Sequence, residues 1–317
     1  MSIKVAVLMG GPSDEHAISL KSGYGVAAAL LSCGYHVEPI EIPHAVSVEE
    51  ACAFTRTSLQ QCGAEVVFIA LHGRFGEDGT IQQLCEDLHL AYAGSGPEAS
   101  RLGMDKIASR KRFEQADLAV PRWRTIDPGG DIAQQLTGWP CPLVVKPSNQ
   151  GSSLGVSIVR DPGALAEAVA SAAGFGGEVI VEEFIAGREV TAGVLGEAVL
   201  PIVEIRPRHA FFDYQAKYTP GMTEYLVPAP LPSQAVLRIQ AAGLAAHRAL
   251  GCRHFSRTDL ILRQDGVPVV LEVNTIPGFT ATSLLPKAAA CAGMSYDALC
   301  EQLVTMAWQS VPHLVRS

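Results

Sequence analysis

The sequence lacks the features that mark disulfide-rich, zinc-binding and membrane-spanning proteins. Its eight cysteines are scattered, with no Cys-x-x-Cys pair and no Cys/His spacing of the zinc type. No apolar run approaches the length that a bilayer requires, and the first residues lead into a strand and a glycine turn rather than a cleavable leader. We therefore expect a protein of a reducing compartment, the cytoplasm, with no membrane partner.

Basic runs are also missing, and the formal net charge is -8. This balance argues against nucleic acid as a partner. No G-x-G-x-x-G opens the first helical segment, which disfavours a Rossmann dehydrogenase. The 317 residues exceed what one core comfortably holds, and helical segments rich in Ala and Leu alternate with Val/Ile strands. These features predict a mixed α/β protein of two or three domains.

The most informative stretch is 257–274, R-T-D-L-I-L-R-Q-D-G-V-P-V-V-L-E-V-N. Asp265-Gly266 between two apolar runs predicts a hairpin with a two-residue turn. Because side chains two apart share a face, one face of this hairpin carries the polar residues Arg257, Asp259, Glu272 and Asn274. The opposite face is predicted to rest on the core through Leu260, Leu262, Val269, Leu271 and Val273. The polar oxygens suit Mg²⁺, although a simply solvated face is an equal alternative.

Two glycine-rich loops follow strands, where ligands bind in open α/β sheets. The first strand leads through Gly10-Gly11-Pro12 and Ser13, a predicted helix cap, into a helix near Glu15. The strand 65–71 ends at His72, in H-G-R-F-G-E-D-G. Either loop is compatible with a ligand site or with a plain connection.

A third loop, S-N-Q-G-S-S-L-G, follows Lys146 at a strand end. Consecutive small residues let the backbone approach a ligand closely, so we predict phosphate binding there, with a flexible surface loop as the alternative. The charged helix that contains Lys106 and Arg110 is typical of a solvated face. The poorly patterned, aromatic-rich segment from Arg206 to Pro232 is interpreted as a lid.

Taken together, eight segments in order resemble the ATP-grasp superfamily, and within it the D-alanine–D-alanine ligase family. They are G-G-P-S-D-E-H-A-I-S-L, H-G-R-F-G-E-D-G-T, M-D-K, V-V-K-P-S-N-Q-G-S-S-L-G, V-E-E-F-I-A-G-R-E-V-T, D-Y-Q-A-K-Y, R-T-D and L-E-V-N-T-I-P-G-F-T-A-T-S-L. The resemblance implies an ATP-grasp fold of mixed α/β class: an N-terminal Rossmann-like substrate domain (1–96), a central subdomain (97–186) and a C-terminal catalytic domain (187–317).

The resemblance also implies roles for individual residues. The implied ligands of two Mg²⁺ ions, with Mn²⁺ as a substitute, are Asp259, Glu272 and Asn274. The implied ATP contacts are Lys106, Lys146, Gly151, Ser152, Ser153, Glu182, Phe184, Ile185, Glu189 and Lys217. The implied D-alanine contacts are Glu15, His72, Ser283 and Leu284. The implied catalytic residues are Glu15, Ser152, Tyr218, Arg257 and Gly278.

The implied reaction joins two D-alanines through an acyl phosphate, for peptidoglycan precursors, in a homodimeric enzyme. Relatives that make a D-alanyl-D-lactate ester carry Phe where this chain has Tyr218, so the amide product is expected. The chain departs from the usual pattern at Ala17 and Gln83, which puts local helix packing or dimer contacts in doubt. A ligase with another second substrate, such as D-serine, and a non-catalytic nucleotide-binding module are the alternatives.

Overall fold

The computed structural model describes residues 3–151, 154–207 and 222–310. Its first sheet is parallel, in the order β2-β1-β3-β4. The strands are β1 (Lys4–Gly10), β2 (His36–Ile42), β3 (Val66–Ile69) and β4 (Ala91–Ala93). The connecting helices are α1 (His16–Ser32), α2 (Val48–Cys62) and α3 (Thr80–Asp87). β1 is an almost continuous apolar run because both of its faces are covered.

The second sheet is antiparallel, in the order β5-β8-β6-β7. It consists of β5 (Trp123–Ile126), β6 (Leu143–Pro147), β7 (Ser157–Val159) and β8 (Val179–Glu183). Before and around it lie α4 (Pro97–Met104), α5 (Lys106–Gln115), α6 (Ile132–Gln135), a short 3₁₀ turn (Pro162–Ala164) and α7 (Leu165–Ala173). The apolar face of α7 packs with this sheet in one core.

The third sheet carries the hairpin, in the order β12-β11-β9-β13-β14 with β10 beside β9. Its strands are β9 (Arg188–Leu195), β10 (Ala198–Val199), β11 (Val203–Pro207), β12 (Thr223–Leu226), β13 (Phe255–Leu262) and β14 (Pro268–Asn274). Helix α8 (Ser233–Ala249) backs it. β12 corrects the expectation of an irregular segment up to Pro232, because regular pairing resumes at Thr223.

Two terminal helices, α9 (Leu284–Cys291) and α10 (Tyr296–Ser310), close the chain's described part. Both contribute to the core that contains residues of β1 and α1, so they cover the first sheet. The mixed α/β fold is as predicted. The boundaries at 96/97 and 186/187 stay predictions, and the helices after residue 283 are distant in sequence from the sheet that they cover.

The hairpin pairs as predicted, with Arg257 opposite Asn274 and Asp259 opposite Glu272. The predicted two-residue turn is nevertheless wrong. Residues 263–267 form the loop, in which the Arg263 N–H donates to the Val267 carbonyl at 3.0 Å and Gly266 has φ 79°. This longer loop shifts the register by one residue, and a β-bulge between Asp259 and Leu260 shifts it back.

The bulge changes which side chains face the core. Val270 takes a core position with Leu260, Leu262 and Val273. Leu271 lines a cleft instead, so its predicted core position is wrong. Val269 is buried but lies outside that core cluster. The physical reason is that a bulge places two consecutive residues of one strand opposite a single partner.

Candidate active site

Two adjoining clefts lie between the sheets, with volumes of about 750 and about 550 Å³. Both volumes are in the range of ligand pockets. Every predicted site residue that the structure describes lines one of them. The larger cleft is lined by Glu15, His72, Gly151, Arg257, Asn274, Gly278, Ser283 and Leu284, and the smaller by Lys146, Glu182, Phe184, Ile185, Glu189 and Asp259. Lys106 and Glu272 line both, so the clefts meet at these two side chains.

The polar face of the hairpin is organised around Asp259, which is 8% exposed. The guanidinium of Arg257 donates to its two carboxylate oxygens at 2.8 Å each, and Thr191 Oγ1 donates to Oδ1 at 2.8 Å. Asn274 Nδ2 donates to Oδ2 at 3.1 Å. Burial disfavours the charged form of Arg257, but the Asp259 carboxylate outweighs this and raises the arginine pKa. Arg257 therefore stays cationic in the cleft.

The donor set on this face fits Mg²⁺. Asp259 and Glu272 face each other on paired strands, with Asn274 two residues farther along. Among the residues that the structure describes, no cluster of three or more His, Cys, Asp or Glu side chains could hold a metal ion. Mg²⁺ binds through one or two carboxylates together with substrate phosphates, so two carboxylates and an amide are a sufficient protein share.

The smaller cleft contains a buried charge cluster. Glu182 Oε1 accepts from Lys146 Nζ at 2.8 Å and from Arg110 Nη2 at 2.5 Å. Burial alone would raise the pKa of Glu182, but the two cations outweigh it and lower that pKa. Burial is the main reason why the Lys146 pKa falls to about 8. Arg110, predicted to lie on a solvated face, is only 1% exposed, and that prediction is wrong.

Lys106 stands at the first turn of α5, where the two clefts meet. Its Nζ donates to the Gln150 carbonyl at 2.5 Å, next to the glycine loop, and lies 3.7 Å from Glu272 Oε2. The preceding residue, Asp105, caps the helix by accepting from the N–H groups of Ile107 and Ala108. The M-D-K segment thus places a lysine beside the proposed metal ligands by fixing the start of a helix.

Glu204, which lines the smaller cleft, was missed by sequence reasoning. Arg188 donates to both of its carboxylate oxygens at 2.7 and 2.6 Å, and Arg206 Nη2 lies 2.9 Å from Oε2. Burial would raise the pKa of Glu204, but the two arginines outweigh it and lower that pKa. The alternation in V-E-I-R-P was the available signal, because Glu204 and Arg206 share a strand face.

The first-sheet side of the larger cleft is joined by contacts between loops. Ser13 Oγ donates to the His72 carbonyl at 2.6 Å, so Ser13 connects two loops and makes no cap bond to α1, against expectation. The His72 ring lies between Ser22 Oγ at 3.1 Å and Glu77 Oε1 at 3.7 Å. Glu77, also missed, accepts from the Gly73 N–H at 3.1 Å. Burial raises the Glu77 pKa, and the neighbouring His72 opposes that rise.

The start of α9 also lines the larger cleft. Ser283 is the residue before its first turn, and Ser283 Oγ accepts from the Thr280 N–H at 3.1 Å. A helix N-terminus favours an anionic group such as a carboxylate. Gly278 Cα lies close to the same serine, since an added Cβ would meet Ser283 Oγ at 3.1 Å.

Four residues with predicted roles lie outside the described part of the chain: Ser152, Ser153, Lys217 and Tyr218. For the remaining predicted site residues, the structure gives a position in one or both of the two clefts. The role of each in binding or catalysis stays a prediction.

The described part of the chain contains no helix with the length and apolar character needed to cross a membrane.

Comparison with known proteins gives consistent results. The model described as "D-ala D-ala ligase C-terminus" matches residues 112–305, and "D-ala D-ala ligase N-terminus" matches residues 46–95. The D-alanine–D-alanine ligase of Syntrophotalea carbinolica is 46% identical over 95% of this chain and 95% of that protein. The D-alanine–D-alanine ligase of Desulforudis audaxviator is 45% identical over 96% of this chain and 98% of that protein.

Solved structures give the same result. The D-alanine–D-alanine ligase of Bacillus anthracis complexed with ATP has a TM-score of 0.82 at 32% identity, covering 97% of this chain and 98% of that one. The VanG D-Ala:D-Ser ligase of Enterococcus faecalis has a TM-score of 0.82 at 31% identity, covering 97% and 100%.

Proposed function

Because this chain belongs to the D-alanine–D-alanine ligase family, we propose that it joins two molecules of D-alanine with cleavage of ATP to ADP and phosphate. The product, D-alanyl-D-alanine, is a peptidoglycan precursor. One observation carries the proposal: a nucleotide-sized cleft and an amino-acid cleft meet at Lys106 and Glu272. A phosphoryl group transferred from one ligand to the other must cross such a junction.

The smaller cleft is the proposed ATP site. Phe184 and Ile185 supply an apolar wall for adenine, and Glu189 lies within the same cleft for the ribose hydroxyls. Lys106, where the clefts meet, and Lys146, in the smaller cleft, neutralise phosphate oxygens. Glu182, predicted to contact the nucleotide, lines this cleft while its carboxylate pairs with Lys146.

Asp259, Glu272 and Asn274 would hold Mg²⁺, which supplies neutralisation of phosphate charge when it is bound. This chain adds two fixed cations to that neutralisation. Lys106 lies between the clefts, and Arg257 stays charged because it pairs with Asp259. Fixed positive charge at the site of transfer is the main contribution that a protein makes to phosphoryl transfer.

The larger cleft is the proposed site for both D-alanines. Glu15 holds the ammonium of the first, with His72 beside it, and the start of α9 at Ser283 and Leu284 receives the carboxylate of the second. The first carboxylate takes the γ-phosphoryl group and becomes an acyl phosphate. The second amine then attacks its carbonyl carbon, Arg257 and the Gly278 N–H stabilise the oxyanion, and phosphate leaves.

An acyl phosphate hydrolyses readily, so the cleft must exclude water. The proposed lid includes Lys217 and Tyr218, which lie outside the described residues, as do Ser152 and Ser153 of the glycine loop. We propose, as the family resemblance implies, that Tyr218 closes on Ser152 and Glu15. Protection of the segment 206–232 from proteolysis on binding of ATP and substrate tests it.

The division at residues 96 and 186, a homodimer formed through the first domain and a cytoplasmic location are part of the same proposal. Sedimentation equilibrium measures the oligomeric state directly. A monomer at all concentrations would contradict the homodimer without affecting the reaction.

The deciding experiment measures phosphate release from ATP and Mg²⁺ with D-alanine, L-alanine, D-serine and D-lactate, with products identified by mass. We expect release that depends on D-alanine and a D-alanyl-D-alanine product. A mixed product with D-serine would move the second substrate toward that of the VanG ligase. ATP binding without release for any substrate would contradict the ligase and favour a binding module.

A further inference from the structure

Arg110 is a buried arginine that lines neither cleft. It lies on α5 one turn after Lys106 and is 1% exposed. A guanidinium carries five N–H donors, and burial without partners is costly. Its partners therefore account for its presence in the interior.

Those partners belong to two different sheets. Arg110 Nη2 donates to Glu182 Oε1 on β8 at 2.5 Å, and Glu182 also accepts from Lys146 at 2.8 Å. On β14, Arg110 Nη1 donates to the Val270 carbonyl at 3.4 Å and Nη2 to the Leu271 carbonyl at 3.3 Å. Leu271 is the residue of the bulge that precedes Glu272.

We propose that Arg110 is a positioning residue: by holding the Glu182 carboxylate and the carbonyls of the β14 bulge together, it sets Lys146 and Glu272 on opposite sides of one nucleotide phosphate site. This inference rests on the proposed function, because the phosphate between Lys146 and Glu272 is taken to be a phosphate of ATP. Arg110 acts through these two residues and does not itself touch the nucleotide.

The charge on Arg110 matters as much as its shape. Glu182 is 2% exposed and shares its oxygen between two cations, so Lys146 is not its sole counter-charge and can turn toward a phosphate. Burial lowers the Lys146 pKa to about 8; Glu182 opposes that change, whereas Arg110 and Lys106 add to it. Removal of Arg110 would leave Lys146 alone on Glu182, with a higher pKa and a fixed partner.

Lysine would not reproduce the arrangement. The planar fork of arginine bonds a carboxylate and two carbonyls from fixed directions, whereas lysine offers one ammonium on a flexible stem. Arg110→Lys therefore keeps the charge and loses the link to the bulge. Arg110→Met loses both while keeping an apolar stem of similar length.

The test compares these two variants with Arg112→Lys and Arg112→Met. Arg112 lies on the same helix, but its side chain is 48% exposed and its ion pair with Glu98 is long, at 3.8 Å. Binding of ADP with Mg²⁺ is measured by calorimetry at pH values on both sides of the Lys146 pKa of about 8, beside phosphate release with D-alanine and thermal unfolding.

We expect ADP affinity to fall about 10-fold in Arg110→Lys and about 100-fold in Arg110→Met, the range for groups that orient a ligand-binding side chain. KM for D-alanine should stay unchanged, and the Arg112 variants should match the wild type. The loss of ADP affinity at alkaline pH should shift to higher pH in Arg110→Met, because the Lys146 pKa rises.

Wild-type ADP affinity and pH dependence in Arg110→Met, with only a lower melting temperature, would overturn the proposal in favour of a purely structural role. If Arg110→Met does not fold, wild-type ADP affinity in Arg110→Lys overturns it. A wild-type protein that binds ADP but forms no dipeptide would contradict the proposed function, and the comparison of ADP affinities would still decide the role of Arg110.

Discussion

The polar face of the β13–β14 hairpin and the loops around His72 form two walls of the same cleft, but different forces hold them. In the hairpin, backbone pairing fixes Asp259 opposite Glu272. Around His72, single side-chain bonds join segments far apart in the chain, such as Ser13 Oγ to the His72 carbonyl at 2.6 Å. A substitution in the hairpin should therefore change chemistry and leave geometry intact, whereas one in the loops should change geometry.

Glu272→Gln should have the largest effect on the hairpin side. It keeps the shape and removes the charge of a proposed metal ligand, so we expect turnover to fall about 10²- to 10³-fold, the range for loss of one electrostatic stabiliser. Stability should change little, because the side chain is 30% exposed. Phosphate release at several Mg²⁺ concentrations and thermal unfolding measure both quantities.

The matched control is Asp265→Asn, in the exposed loop of the same hairpin. It removes a charge without touching either cleft, so its turnover should equal that of the wild type. Near-normal turnover in Glu272→Gln would contradict the assignment of Glu272 as a metal ligand. It would also contradict the expectation that substitutions in the hairpin change the chemistry.

The pH dependence of ADP binding tests the buried cluster. Lys146 has a pKa lowered to about 8, mainly by burial, so it is cationic below that pH and neutral above it. A cation favours a phosphate, and ADP affinity should therefore fall as pH rises through this value, by at most about tenfold per unit for one proton. Calorimetry across this range measures the midpoint.

Glu182→Gln sharpens that prediction. The Glu182 carboxylate raises the Lys146 pKa, so its neutralisation should move the midpoint to lower pH. Glu197→Gln, at an exposed pair with Arg248, should leave the midpoint in place. An unchanged midpoint in Glu182→Gln would mean that another group titrates.

On the loop side, Ser13→Ala should raise KM for the first D-alanine. The lost hydroxyl anchors the His72 carbonyl and accepts from the Glu15 N–H at 3.3 Å, so both side chains become less well placed. We expect an increase of about 10-fold, which corresponds to about 1.4 kcal/mol, a typical hydrogen-bond contribution. Steady-state kinetics with varied D-alanine and saturating ATP give the value.

Ser47→Ala is the control for this loss. Ser47 caps α2 by accepting from the Glu50 N–H at 3.2 Å, away from both clefts. Its loss should lower stability by about 1 kcal/mol and leave KM unchanged. An equal KM for D-alanine in Ser13→Ala and wild type would show that the loops do not depend on this bond.

The two walls also differ in how far they could be predicted. Strand pairing is local and periodic, so the pairing of Asp259 with Glu272 followed from the sequence. The predicted two-residue turn was wrong and the bulge was not predicted, but the two register shifts cancel. Motifs predicted many of the residues that line the clefts, although Glu77 and Glu204 were missed. Their bonding partners were not, because those partners come from distant segments.

Arg110 illustrates the limit. In K-I-A-S-R-K-R-F it is one of four basic residues, and helical spacing alone does not separate the buried one from the exposed ones. Its burial depends on Glu182, which is 72 positions away, and on β14, which is 160 positions away. Tertiary packing, which leaves no local pattern, decided the outcome.

Gly266→Ala should have the smallest functional effect and tests whether the loop or the bulge sets the hairpin register. Gly266 has φ 79°, which strains any residue with a Cβ, so we expect a loss of about 1 kcal/mol in the free energy of unfolding. Gly266→Asn should lose less, because asparagine tolerates this conformation. Denaturant unfolding measures both.

Gly129→Ala is the control, since an added Cβ there meets only the Asp127 carboxylate at 3.5 Å and its φ is not positive. Turnover should stay at the wild-type value in all three variants, because the bulge lies between the loop and Glu272 and absorbs a shift of one residue. Loss of turnover together with stability in Gly266→Ala would show that strain in the loop reaches Glu272. The geometry of the hairpin would then depend on a loop, as the geometry around His72 does. The difference between a wall held by strand pairing and a wall held by single side-chain bonds would no longer hold.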